Sequence, residues 1–129
     1  MKFSIDKNEK YVVITLNESS FSNEITPQLK SEFILLNTEG FSNIILDLSQ
    51  VLHCDDSQDL SSLLFADRLC KKVNGLFVIA GVQPEIQKIL ELSGLTQSLN
   101  MVPKLKEAVD LIFMDEIEKE MLGNFDEES

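Results

Sequence analysis

Two short apolar runs constrain this chain more than anything else in it: "NIILDLSQV" (residues 43–51) and "LFVIAGV" (residues 76–82). Both are nearly continuous rather than alternating, as expected of strands covered on both faces. Between them, "LSSLLFADRLCKKVNG" carries Leu60, Leu63, Leu64 and Leu69 on one helical face and ends at Asn74-Gly75. Strands that alternate with short helices fold into a mixed, mostly parallel sheet with helices packed on it.

The flanking segments extend the pattern. "FSIDKNEKYVVITL" reads as a hairpin, with Phe3 and Ile5 alternating, a turn over residues 6–9 and a β-branched run to Leu16. "NESSFSNEI" is expected to be a polar loop. Thr26 is the expected N-cap of a helix with Pro27 at its first position and Ile25, Leu29, Phe33 and Leu36 at helical spacing, stopping near Gly40. "PEIQKILELSG" predicts a helix of two to three turns and "LTQSLNMV" a short strand. "PKLKEAVDLIFMDEIEKEMLG" predicts a last helix whose charged "DEIEKE" can run past the core. The order β-β-α-β-α-β-α-β-α gives an α/β fold of about five strands and about four helices. Residues 1–122 are expected to form one domain, and residues 123–129 an acidic, frayed tail.

At 129 residues the chain suits a single core. Its net charge of −11 argues against binding to nucleic acid or to an anionic membrane, because both reward a basic patch. No apolar run approaches the roughly 20 residues of a membrane span. The start is polar after Phe3, so no signal peptide is expected. Two cysteines and one histidine fall short of a zinc site and suit a reduced, cytoplasmic protein.

The stretch with the most chemistry is "HCDDSQDLSSLL", residues 53–64, where acids and serines crowd a strand-to-helix junction. Asp55, Asp56 and Asp59 could in principle hold a hard cation. The better reading is a capped helix start, since an acid there accepts orphan backbone N–H groups and suits the helix dipole. His53 and Cys54 are neighbours on an extended stretch and point to opposite faces, so they do not make a nucleophile pair. Cys70 follows Leu69 on an apolar helix face and reads as core. Neither a phosphate-binding glycine loop nor a nucleophile elbow is present. No metal, no cofactor and no enzymatic activity is expected. A helix start does suit a phosphate, and serines at such a turn are plausible phosphorylation targets.

Residues 43–95 as a set resemble the STAS domain, named for sulphate transporters and anti-sigma factor antagonists. The family shape is an "ILDLS-V" strand, a loop ending in "DSSGL", a helix with "LL", a "G-L-L-A-G-V" strand and a helix ending in "GL". All have counterparts here in order. The resemblance implies a non-enzymatic regulator. Stand-alone members usually bind an anti-sigma factor, often also a serine kinase, and release it when a serine of "DSSGL" is phosphorylated. "DSQDL" occupies that place: Asp56 matches the Asp, Ser57 the first Ser and Leu60 the Leu. The usual acceptor is Gln58 and the family glycine is Asp59.

The partner surface implied by the resemblance comprises Asp56, Ser57, Gln58, Asp59, Ser61 and Ser62. Two consequences are open. Gln58 locks the unphosphorylated form, or Asp59 imitates the phosphorylated one. The first is preferred, because one carboxylate carries about half a phosphate's charge. Ser57 is the alternative acceptor, although three acids surround it. A non-switching scaffold and a small-ligand-binding module are the competing readings, and a homo-oligomer is left open.

Overall fold

The computed structural model describes residues 2–128, with side chains described through residue 123. Strand β1 (Phe3–Lys7) pairs antiparallel with β2 (Val12–Leu16). The strand runs two residues further than expected. Lys7 pairs with Val12, and the Asn8 N–H closes the turn on the Tyr11 carbonyl at 2.9 Å. The apolar runs become β4 (Ile44–Asp47) and β6 (Phe77–Ala80). With β7 (Asn100–Val102) they complete a five-stranded sheet in the order β1-β2-β4-β6-β7, parallel throughout except at β1.

Strand periodicity divides the core in two. Val12, Ile14 and Leu16, Ile44 and Leu46, and Phe77 and Ile79 face one side. There they meet three helices: α1 (Ile25–Thr38), α2 (Ser61–Lys72) and α3 (Pro84–Leu92). Val13, Ile45, Val78 and Ala80 face the other side, where they meet Ala108 and Ile112 of a single helix, α4 (Leu105–Glu128). Ile25, Leu29, Phe33 and Leu36 are the buried residues of α1, as their spacing requires.

Three local expectations are corrected. The stretch read as a polar loop contains a two-residue strand, β3 (Ser20–Phe21), paired in parallel with β5 (His53–Cys54). Its cause is Phe21, the one aromatic residue of that stretch, which is fully buried in the core. Thr26 is not an N-cap. The helix already starts at Ile25, and Pro27 lies in its first turn, where its missing N–H costs nothing. At the end of α2 the left-handed residue is Asn74 (φ 61°) rather than the glycine beside it. Gly75 is needed for another reason: a Cβ there would lie 1.7 Å from the Ser42 carbonyl oxygen.

Cys70 is fully buried, as expected of a core residue, and burial pushes its thiol up to about 12 from an ordinary 9.0. The folded state therefore holds this proton more tightly than the unfolded chain. The stability tied to it is complete below pH 9.0 and is lost as the pH rises towards 12, by up to about 1.4 kcal/mol per unit. Urea unfolding at about pH 8 and about pH 10 is expected to show a steeper alkaline loss for the wild type than for Cys70→Ala.

Candidate functional site

The sheet delivers the 53–64 stretch to the mouth of α2. Strand β5 holds its start: Ser20 and Phe21 pair with His53 and Cys54, and the Asp55 N–H donates to the Phe21 carbonyl at 3.1 Å. The chain then enters a single 3-10 turn, Ser57–Leu60, that leads directly into α2. Asp56 is extended and caps this turn, its Oδ1 accepting from the Gln58 N–H at 3.0 Å. Leu60 is buried and pins the other end. The acids suggested a capped helix start; the cap falls on the 3-10 turn, and α2 itself starts after Leu60 with no side-chain cap.

The six residues expected on the partner surface separate. Asp56, Ser57, Gln58 and Ser61 are exposed. Asp59 is half-buried and turned inward, where its Oδ1 accepts from the Thr26 hydroxyl at 3.1 Å. Its Oδ2 is buried without a hydrogen-bond partner. Ser62 is fully buried, a correction to its expected place on the surface. Its hydroxyl donates to the Asp59 carbonyl at 2.9 Å and so braces the turn from below. The helical period explains this, because Ser62 shares the inner face with Leu63, Ala66 and Cys70.

Two contributors escaped the sequence reading. Thr26 holds Asp59 from 33 residues away. Glu85, in the first turn of α3, accepts from the Cys54 N–H at 3.2 Å and lies 3.3 Å from the His53 ring. The first-turn acid after Pro84 was a visible signal for a helix start, but not for this contact. Among the described residues, nothing around Cys54 activates its thiol. Burial, then the carboxylates of Asp59, Asp55 and Asp56, push its thiol up, against the hydrogen bond to the Asp56 carbonyl that pulls it down. It stays protonated near neutral pH.

The Thr26–Asp59 contact is testable through stability. Thr26→Val keeps the shape and removes the donor, which leaves both Asp59 oxygens without one. The expected cost is about 1–3 kcal/mol, read by urea unfolding. Asp59→Asn in the Thr26→Val background is expected to recover part of it, since it removes the stranded charge.

Among the described residues, no group of three or more His, Cys, Asp or Glu side chains converges as a metal site would require. Likewise, no helix is long and apolar enough to cross a membrane.

Comparisons with known proteins place the chain. A model of the STAS domain matches residues 3–108. The anti-sigma factor antagonist SpoIIAA of Bacillus, in its unphosphorylated form, is 20% identical with a TM-score of 0.73, over 85% of this chain and 95% of that one. An anti-sigma factor antagonist from Mycobacterium paratuberculosis is 17% identical with a TM-score of 0.73, over 85% and 92%. A variant of RsbS from Moorella thermoacetica is 23% identical with a TM-score of 0.70, over 87% and 95%. No curated protein matches the chain by sequence. At these identities the likeness is one of fold.

Proposed function

The chain belongs to the STAS domain family, and we propose that it is a non-enzymatic regulator of the anti-sigma factor antagonist type whose phosphorylation switch is locked off. It docks onto an anti-sigma factor or serine kinase in the cytoplasm through the exposed side of the Ser57–Leu60 turn and the start of α2. Asp56, Ser57, Gln58 and Ser61 make this surface, with Asp59 and Ser62 holding its shape from inside.

The observation that carries the reading is the opposite orientation of Gln58 and Asp59. Gln58 stands exposed at the position of the family acceptor, and an amide has no hydroxyl to take a phosphoryl group. Asp59 offers its carboxylate to Thr26 rather than to solvent. A charge held inward is a poor imitation of a phosphate, which would present about two charges and three acceptor oxygens outward. The lock is therefore favoured over the mimic. Ser57 keeps an exposed hydroxyl beside Gln58 and is the alternative acceptor. A phosphate there would face Asp55 and Asp56, and like charges oppose it.

The test is affinity capture of the tagged protein from its native cell, with the bound proteins identified by mass spectrometry. Recovery of an ATP-binding serine kinase or an anti-sigma factor is the expected result. Recovery of a stable complex without either class would overturn sigma control and favour a scaffold.

A further inference from the structure

The second surface lies on the other face of the sheet. Among the described residues, α4 is the one helix packed on that face, and Ala108 and Ile112 are the residues it buries fully there. The family match ends at residue 108, in the first turn of this helix. Beyond the core residue Ile112, polar contacts tie the helix to the body. Glu116 accepts from the Asn43 amide at 2.8 Å, and Lys119 donates to the Asn74 carbonyl while pairing with Asp115 at 2.7 Å. With 116 and 119 turned to the body, Met114, Ile117 and Met121 are left largely exposed beside it. They are 66%, 57% and 65% exposed. Between this strip and Leu76 runs an open groove of about 650 Å³, with Asp115 and Glu118 among its lining residues.

From this strip we infer that α4 is a second docking site, and that its occupant is a basic amphipathic helix of a protein partner. The spacing of Met114, Ile117 and Met121 is i, i+3, i+7, the anchor pattern of helix recognition. Unbranched methionines suit such a surface because they repack against varied side chains. Charge selects the occupant. Four of the six residues at 115–120 are acids; Asp115 pairs with the single lysine and Glu116 is held by Asn43, which leaves Glu118 and Glu120 exposed and unopposed by a lysine of this segment. A second copy would bring the same acids against these, on chains of net charge −11 each. A lipid surface rewards lysine and arginine beside the apolar face, and this helix offers acids. The strip is too exposed to enclose a small ligand, most of whose surface a pocket must bury. A helix with apolar residues on one face and lysines or arginines flanking them satisfies both the strip and its rim. The inference goes beyond the turn surface and does not depend on it.

The probe is a synthetic amphipathic peptide of leucine and lysine, about 18 residues long so that it can form a helix, titrated into the full chain by fluorescence anisotropy. Ile117→Gln with Met121→Gln removes the apolar strip without changing charge. Both positions are exposed, so the fold is expected to persist. Binding to the wild type and a loss of about tenfold or more in the double variant is the expected result, with Gln58→Ala binding as the wild type does. Met114→Gln repeats the test at an independent position. Equal binding by wild type and variants would reduce the effect to charge attraction and overturn the inference. So would equal affinity for the leucine–glutamate counterpart peptide. A wild-type dimer in sedimentation equilibrium that the double variant abolishes would make the occupant a second copy, and would also overturn it.

Discussion

Replacing Phe77 by alanine is expected to cost about 3–5 kcal/mol of stability. Phe77 is fully buried on β6, between β4 and β7 in the sheet. Its ring meets Phe33 of α1 edge-on, with centroids 5.7 Å apart and planes at 78°. Truncation removes the apolar area, the aromatic pair and the filling of the space between sheet and helix together. A domain of this size has about 5–15 kcal/mol in total, so the variant is expected to keep a small margin at best. Urea unfolding reads the loss as a lower midpoint with little change of slope. Leu92→Ala is the matched control: that side chain is 80% exposed, and its loss is expected to stay within about 0.5 kcal/mol. A Phe77→Ala variant as stable as the control would contradict the packing described for this face.

Restoring the family switch is expected to make partner binding sensitive to phosphorylation. On the proposed reading of DSQDL, Gln58→Ser with Asp59→Gly recreates the acceptor and removes the inward charge. Before any kinase acts, the captured partner is expected to bind this double variant as tightly as it binds the wild type, within about threefold. If Asp59 imitates a phosphate, the double variant would instead bind more tightly. After treatment with a serine kinase and ATP, affinity is expected to fall about tenfold or more. The added group carries about −1.5 to −2 charges and three acceptor oxygens. It would stand beside Asp56, whose carboxylate already accepts from the backbone N–H at this position. A docking face built around a neutral side chain would have to desolvate that dianion. Calorimetry with and without ATP separates the two steps.

How far the sequence reveals this arrangement depends on the range of the interactions involved. The strands of the main sheet and the stripe of α1 were legible because each repeats a local period. A cap by one of the three acids was legible too, since a capping acid acts within two residues, but the sequence did not say that it would be Asp56. The β3–β5 pair was not legible. Two residues carry no period, and the pairing joins Phe21 to Cys54. The same holds for Thr26 with Asp59 and for Glu85 with Cys54, each a contact over more than thirty residues. Thr26-Pro27 gave a misleading local signal, since it suits an N-cap and the helix begins one residue earlier. Ser62 was placed outward because the resemblance fixes a segment and not the phase of its helix. Counting from Leu63 and Ala66 would have turned it inward.

Hydrogen exchange of the protein, alone and with its captured partner, tests the docking surface most directly. Slowed exchange over the Ser57–Leu60 turn and the first turn of α2 is the expected result. Protection confined to other elements, with the turn exchanging as in the free protein, would contradict a partner bound through Gln58 and its neighbours.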